Sequence, residues 1–322
     1  MIVPCGALCV MRSVESFCGA LLEYEARCVK GRAGRLRSDE MTLNEFDRWA
    51  NAFLKRENFC ADISMTGIQV QNSDPDGKEI RKVAFAVDAC LETIQKAAAE
   101  KADILFVHHG LFWGEPLAIA GSHYNRIKAL LDADMALYAS HIPLDANSEC
   151  GNNYGLARMF GMEKLEPFGE WRGMSVGVKG EFAKPVSVDE LVQKLESKGE
   201  KCNVVLPFGS AVTTDSAGTG RTGTAGTGRT DAFDTSRAVI KSAVIISGDG
   251  ESDAEEAAAA GVDAFITGEA GHVCYHLAKE NRFTIIGGGH YNTETIGVSL
   301  VMEKLSRETK IQTVFISAPT GL

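Results

Sequence analysis

The sequence has 322 residues, of which 45% are apolar and 24% charged, and its formal net charge at pH 7 is −10. This length provides for one large domain or two, and the composition excludes a chain that is disordered over most of its length. The acidic excess argues against nucleic-acid binding through many phosphates, and no apolar run is long enough for a transmembrane helix.

The cysteine distribution indicates a reducing compartment. Nine cysteines are scattered without a C-x-x-C pair, and their fraction is too low for a disulfide-bonded scaffold. We therefore expect reduced thiols and a cytoplasmic protein. Four cysteines fall in the first 28 residues at spacings that fit no usual zinc or iron–sulfur pattern, so we interpret residues 1–40 as an N-terminal extension without a catalytic role.

The globular part is expected to begin at Met41, where apolar residues take up helical spacing. Thr42 is the predicted cap of this helix, with Glu45 as its capping-box partner. A first α/β repeat is expected over residues 41–165, because strands and helices alternate there as in a parallel sheet. The predicted strands are 82–88, 103–107 and 135–140, and the predicted helices are 91–102 and 124–133.

Residues 166–322 show the same alternation and are expected to form a second α/β repeat. The predicted strands are 171–178, 241–247, 263–267, 283–286 and 313–317, and the predicted helices are 187–198, 252–260 and 293–305. The segment 217–230 contains a G-x-G-x-x-G pattern at positions 218–223. It lacks the apolar strand before it and the helix after it that a dinucleotide-binding fingerprint needs, so we interpret it as a flexible Gly/Thr loop.

Four of the seven histidines directly follow predicted apolar strands, at the sheet edge where ligands bind in open α/β folds. These histidines are His108, His109, His141 and His290. Two carboxylates accompany them, because Asp145 comes four residues after His141 and Glu294 four residues after His290. If a helix begins near Tyr291, then His290 and Glu294 lie one turn apart and can reach the same point.

This pattern predicts a metal site. Adjacent side chains on a regular strand face opposite ways, so we expect Gly110 to break the strand and let His108 and His109 diverge toward two metal ions. Imidazole and carboxylate ligands suit zinc, iron, manganese or cobalt, and the absence of a cysteine ligand argues against a closed structural zinc site. The alternative is a hydrogen-bonded His-His turn that binds no metal.

Three motifs, in this order, resemble those of the Nif-three-like proteins, the GTP cyclohydrolase I type 2 homologues. They are FVHHGLF at 106–112, SHIPLDANSECGNNYGLA at 140–157, and TGEAGH with GHYNTETIG within 267–297. The resemblance runs from about residue 41 to 322. It implies an α/β fold of two intertwined α/β repeats with mixed, largely parallel sheets and a dinuclear metal site between them. It also implies a ring-shaped homohexamer with the metal sites facing an inner cavity.

The resemblance also assigns the ligands of two divalent metal ions. It implies that His109 and Asp145 bind one ion, that His108 and His290 bind the other, and that Glu294 bridges both. Two positions depart from the family pattern. Gly110 stands where the family usually has proline, and Val273 stands where it often has a second histidine.

Position at strand ends further selects His141, Glu269 and His272 as residues that could orient ligands or move protons in catalysis. A structural hydrogen-bonding role is the alternative for each. We expect a metal-dependent hydrolase that acts on a small molecule, and the resemblance implies a nucleotide such as GTP or a phosphoester. The alternative is a non-enzymatic metal-binding ring with a regulatory or scaffold role.

Overall fold

The computed structural model of the chain describes residues 41–209 and 239–322. The predicted extension 1–40 and the predicted loop 217–230 lie outside the described residues. Two mixed sheets with helices between their strands make up the described part, which confirms the predicted α/β class. Within these residues, none of the helices combines the length and the apolar character needed to span a membrane.

Strands and helices alternate along most of the described chain. The strands are β1 Gly67–Val70, β2 Lys82–Asp88, β3 Ile104–His109, β4 Ala136–Ala139, β5 Met162–Trp171, β6 Met174–Ser187, β7 Val204–Pro207, β8 Val239–Ile246, β9 Ala264–Thr267, β10 Thr284–Gly287 and β11 Gln312–Phe315. The helices are α1 Leu43–Leu54, α2 Leu91–Ala99, α3 Gly121–Asp132, α4 Ile142–Asp145, α5 Asn152–Phe160, α6 Val188–Glu196, α7 Ala254–Ala259, α8 Val273–Asn281 and α9 His290–Glu308.

The first sheet has the order β1-β4-β3-β2-β11. Its four strands β4, β3, β2 and β11 are parallel, and β1 pairs antiparallel with β4 at one edge. The central strand β3 is an almost continuous apolar run, as expected for a strand that is covered on both faces. The carboxyl ends of β2, β3 and β4 therefore meet at one edge of this sheet.

Helix α1 covers one face of the first sheet. The predicted capping box is confirmed: Thr42 accepts a hydrogen bond from the backbone of Glu45, whose side chain accepts one from the backbone of Thr42. The buried face of the helix includes Phe46, whose ring meets that of Tyr138 edge-on at 5.4 Å. This aromatic contact attaches the helix to β4.

The second sheet has the order β5-β6-β8-β9-β10-β7. Strands β8, β9 and β10 are parallel, and the other strands are antiparallel to their neighbours. The predicted strand 171–178 is wrong at its start, because Arg172 and Gly173 have positive φ and form the turn between β5 and β6. Strand β5 was not predicted, because it contains Pro167 and several charged residues. A strand at the edge of a sheet tolerates such residues.

Helix α9 connects the two sheets. Its residues Val298, Val301 and Leu305 lie in the core of the first sheet, whereas Ile296 lies in that of the second. After this helix the chain returns to the first sheet, where β11 pairs with β2. The predicted division into residues 41–165 and 166–322 stays a prediction, and the last strand of the second segment is built into the sheet of the first.

Candidate metal centre

Five side chains from three segments of the chain meet at the carboxyl edge of the first sheet. Strand β3 ends in His108 and His109, helix α4 ends in Asp145, and the first two turns of α9 carry His290 and Glu294. All five belong to groups of ligand atoms that lie within 4.8 Å of one another. The structure thus brings together every metal ligand that the sequence predicts.

Glu294 lies between two groups of ligand atoms. Its Oε1 is 3.5 Å from Nε2 of His108, and its Oε2 is 3.2 Å from Nε2 of His109 and 3.4 Å from Nε2 of His290. Oδ2 of Asp145 lies 3.5 Å from Nε2 of His108. Glu294 therefore shares one group with His108 and Asp145 and another with His109 and His290, and a third group of possible ligands joins His108, His109 and His141.

These groups place His108 with Asp145, whereas the resemblance implied that His109 and Asp145 share an ion. Which of these residues share an ion stays a prediction. Nδ1 of His108 contacts the residue that follows β4, and Nδ1 of His109 contacts Asp88 at the end of β2, so the two imidazoles are held from opposite sides of β3.

Each of the three candidate histidine ligands is held through its Nδ1 atom. Nδ1 lies 2.9 Å from the carbonyl oxygen of Ser140 for His108, 2.8 Å from Oδ1 of Asp88 for His109, and 2.5 Å from Oε1 of Glu269 for His290. Acceptors at Nδ1 select the neutral tautomer that carries its proton there, so Nε2 is the atom that would bind a metal once it has lost its own proton. All three Nε2 atoms face the shared carboxylate.

The second candidate carboxylate, Asp145, is oriented in a similar way. Its Oδ1 accepts hydrogen bonds from Nδ2 of Asn152 at 2.8 Å and from the hydroxyl of Ser247 at 3.1 Å. Asn152 is fully buried, and its own Oδ1 accepts the backbone N–H of Gly297 in α9 at 2.7 Å. This network leaves Oδ2 of Asp145 to face His108.

Two buried atoms at the centre have no hydrogen-bond partner within the described part of the chain. Among residues 41–209 and 239–322, Nε2 of His108 and Oε2 of Glu294 have no hydrogen-bond partner, although both side chains are at most 4% exposed. Leaving a buried polar atom unpaired costs about 1–3 kcal/mol. Nε2 of His108 belongs to the group that faces Oε1 of Glu294, and Oε2 belongs to the group with His109 and His290, so a cation in each group would satisfy one of the two atoms. The donor set and its burial therefore fit divalent metal ions.

The electrostatics of the centre also favour positive charge. Burial lowers the pKa of His108, but the carboxylates of Asp145 and Glu294 outweigh it and raise this pKa to about 10. For His290, burial is likewise outweighed, and Glu294 and Glu269 raise the pKa to about 9. Burial alone raises the pKa of Glu294, whereas the histidines His109 and His108 hold it well below its usual range.

The loop after β8 leaves room for this carboxylate. Gly248 has a φ of +65°, and a Cβ atom at this position would collide with Oε1 of Glu294 and approach Nε2 of His290 to 3.2 Å. Glycine is the residue that adopts this backbone conformation without strain. The second sheet therefore contributes a close wall to the centre, although it supplies no ligand from this loop.

His141, predicted as a catalytic residue, lies beside the metal ligands. Its Nδ1 is 3.1 Å from Oδ1 of Asp62, a side chain that is only 3% exposed. Oδ2 of Asp62 accepts the backbone N–H of Ile142 at 3.2 Å. The ring of Trp113 meets that of His141 edge-on at 5.0 Å, so the imidazole is fixed on two sides and borders the cavity described below.

The other two predicted catalytic residues have different positions. Glu269 is half-exposed and bonds to His290, as a residue that orients a ligand does. His272 is exposed just before α8, and its ring lies 6.4 Å from that of His276. The structure does not bring His272 to the candidate ligands, because the chain turns outward after β9 before α8 begins.

Sequence reasoning missed Asp88, Asp62, Asn152 and Ser247, which hold the candidate ligands and His141. Only Asp88 has a signal in the sequence: it ends strand β2, and in the parallel register it is the direct partner of His109. The other three contacts join residues that lie in different elements, and nothing in their local sequence distinguishes them from ordinary turn and helix-cap residues.

A cavity of about 380 Å³ opens over the centre. Its lining includes four residues of the centre, the rings of Trp113, His141 and Trp171, and a rim of acidic side chains. The residues that line it are His109, Trp113, His141, Ile142, Asp145, Asn153, Trp171, Val176, Ile246, Ser247, Asp249, Ser252, Asp253, His290 and Glu294. A small molecule in this cavity has direct access to the candidate metal position.

The fold and this centre define an α/β protein of two mixed sheets with a histidine–carboxylate group at the edge of the first. The chain belongs to the Duf34/NIF3 (NGG1p interacting factor 3) family, which it matches over residues 41–320. This confirms the resemblance that the three sequence motifs indicated.

Relatives and solved structures agree with this assignment. A protein of Treponema pallidum (strain Nichols), named GTP cyclohydrolase 1 type 2 homolog, is 40% identical over 294 residues, which cover 88% of this chain and 100% of the relative. A protein of the same name from Deinococcus radiodurans is 37% identical, and the match covers 88% of this chain and 95% of that relative. The structure of TTHA1606 from Thermus thermophilus is 32% identical, with a TM-score of 0.71 and coverage of 88% of this chain and 100% of that chain. The structure titled protein ybgI, unknown function, is 30% identical with the same TM-score and coverage.

Proposed function

We propose that this protein is a metal-dependent hydrolase that binds two divalent ions per chain. The ions would be zinc, iron, manganese or cobalt, and Glu294 would be a ligand of both. The observation that carries the proposal is the pair of buried, unpartnered atoms at the centre, Nε2 of His108 and Oε2 of Glu294, within the part of the chain that the structure describes. His108 and Asp145 would hold one ion, and His109 and His290 would hold the other. The ligands are too few to saturate two ions, which leaves positions for water and substrate.

When bound, the two ions supply the Lewis acidity that activates water and stabilises negative charge on the reacting oxygen. The chain itself contributes proton transfer. His141 borders the cavity, and Asp62 holds its Nδ1, so Nε2 is the atom that exchanges a proton with the reacting groups. Glu269 fixes His290 in the orientation that presents Nε2 to the centre.

The substrate is a small molecule with an electrophilic carbon or phosphorus. The name GTP cyclohydrolase 1 type 2 homolog, which the curated relatives carry, supports a purine nucleotide whose ring is opened by water. The chemistry of the ligand set also suits a phosphoester, because two metal ions stabilise both the attacking and the leaving oxygen of a displacement. The family and the fold alone do not decide between these two reactions.

The test combines metal analysis with turnover. We expect two equivalents of metal per chain, and hydrolysis of a nucleotide or a phosphoester that His109→Ala abolishes. His276→Ala is the matched control, because this histidine is exposed on α8 and is absent from the groups of candidate ligands. Turnover by His109→Ala at the rate of the unmodified protein would end the proposal. Metal binding without turnover on a broad panel would favour the non-enzymatic ring with a regulatory or scaffold role.

The assembly and the compartment belong to the same proposal. We expect a homohexameric ring, and light scattering then gives six times the 34.6 kDa mass of one chain. A monomer or dimer at micromolar concentration would contradict the ring. We expect the protein in the cytoplasm, which cell fractionation tests.

A further inference from the structure

The lining of the cavity is unusual for a site that receives a nucleotide. Among the described residues, no lysine or arginine lines it. Two further carboxylates, which we call the acidic rim, line the cavity: Asp249 lies in the turn that follows β8, and Asp253 ends the short 3-10 helix after it. Proteins that recognise phosphate groups supply arginine, lysine or helix N-terminal N–H groups, each of which brings positive charge to the anion.

The sum of the charges at the site also disfavours a phosphate chain. Two divalent ions bring four positive charges, and four carboxylates line the cavity: Asp145, Glu294, Asp249 and Asp253. The four carboxylates would thus balance the charge of the two ions before any substrate binds. Burial raises the pKa of Asp253, a hydrogen bond with Ser252 lowers it, and the charges of Glu256 and Asp249 raise it further.

Two tryptophans, Trp113 and Trp171, line the cavity. The indole N–H of Trp113 donates to the carbonyl of Gly110 at 3.2 Å, which fixes this ring next to the candidate ligand His109. Trp171 lines the same cavity, and the guanidinium of Arg172 lies over its ring at 4.6 Å. Aromatic faces stack on planar heterocycles whatever their hydrogen-bonding pattern.

We infer that the cavity takes a flat, uncharged or cationic heterocycle, and that its acidic rim disfavours polyanions such as nucleoside triphosphates. The inference rests on the proposed function. It narrows the reaction to hydrolysis of a ring C–N bond of amide or amidine type. The oxygen of water bonds to the ring carbon, the C–N bond breaks, and its electron pair on nitrogen takes a proton from that water. One water is consumed, and nothing is oxidised or reduced.

The test compares one ring with increasing negative charge. Zinc-loaded full-length protein is titrated with guanosine, GMP and GTP, and binding is followed by calorimetry, with the zinc content checked after each titration. We expect the affinity to fall with each added phosphate. We expect Asp249→Asn with Asp253→Asn to lower the ratio of guanosine to GTP affinity by about ten-fold, because the rim charges act at short range. Asp74→Asn with Asp76→Asn is the matched control, since both side chains are exposed before β2 and absent from the lining.

The outcomes separate this inference from the proposed function. Two results would contradict the inferred substrate class without contradicting the proposed hydrolase. One is tighter binding of GTP than of guanosine, and the other is an unchanged ratio of guanosine to GTP affinity in the Asp249→Asn, Asp253→Asn protein. A loss of GTP affinity in Arg172→Gln overturns it as well, because this cation would then recognise phosphate. Binding of guanosine without turnover of it or of related cyclic amides supports the substrate class and contradicts the hydrolase.

Discussion

Asn152 is the buried residue whose loss should damage both the fold and the metal centre. Its Nδ2 donates to the carboxylate of Asp145 at 2.8 Å, and its Oδ1 accepts the backbone N–H of Gly297 at 2.7 Å. In Asn152→Ala the first bond, to an ionised group, is lost, and the second leaves a buried N–H without its partner. These losses cost about 1.5–3 and about 1–3 kcal/mol, so we expect the free energy of unfolding to fall by about 2.5–6 kcal/mol.

The same change should weaken metal binding, because Asp145 loses one of the two donors that orient it. Removing a residue that holds a ligand lowers metal affinity by about 10–100-fold. The assays are urea denaturation of the metal-free protein and a zinc titration. Asn72→Ala is the matched control: Asn72 is 2% exposed, and within the described residues neither of its side-chain amide atoms has a hydrogen-bond partner. The reasoning would be refuted if the Asn152→Ala protein were as stable as the Asn72→Ala control and also bound zinc as tightly as the unmodified protein.

Four further predictions concern the centre and the neighbouring His141. Gly248→Ala should lower zinc affinity by at least about ten-fold, because the added methyl group collides with Glu294 and the backbone there has positive φ. The metal-free protein should lose stability as pH rises from 6.5 toward 9 and 10, because the raised pKa values of His290 and His108 stabilise the fold only while both are protonated. Zinc affinity should rise over the same range, since protons compete for Nε2. Asp62→Asn should lower kcat by about 100-fold or more at unchanged zinc content, because the proton-transferring imidazole loses its orientation.

Each of these predictions has a distinguishing control. Gly173→Ala introduces the same kind of backbone strain at φ +80° with no atom within 4 Å, so it should leave zinc binding intact. A zinc affinity that is constant between pH 6.5 and 9 would contradict competition with protons. Asp76→Asn alters a surface carboxylate that only accepts from Asn44, and an equal loss of kcat in this variant would show that the effect of Asp62 is not local.

Local patterns made part of the fold predictable. The capping box of Thr42 and Glu45 is a contact between residues three apart, and apolar strands that alternate with helices indicate parallel pairing without any long-range information. The return of β11 to the first sheet could not be predicted in this way. Its partner β2 lies more than two hundred residues earlier, and the short apolar segment at 313–317 would suit either sheet.

The candidate ligands were predictable because they stand where strands end, and the carboxyl ends of parallel strands share one edge. The residues that hold them were not, because the contact of Asp62 with His141 spans 79 residues and depends on how the turn before β1 folds. The placement of His272 shows the limit of the same rule. His272 follows strand β9 as His141 follows β4, but the chain leaves the sheet edge before His272. Position after a strand therefore selects possible site residues, and the path of the following turn decides which of them reach the site.

Helix α9 explains why the centre depends on the whole fold. Its first turns carry His290 and Glu294, its later turns pack in the core of the first sheet, and Ile296 packs in that of the second. Glu294 faces the histidines of β3 only while both cores hold this helix in place. An unfolded chain has no such arrangement, so metal that binds here binds the native state alone and stabilises it in proportion to the logarithm of its concentration over Kd. The unpaired buried atoms of the centre are tolerated for the same reason: packing on both sides of α9 supplies the free energy that holds them together before any cation arrives.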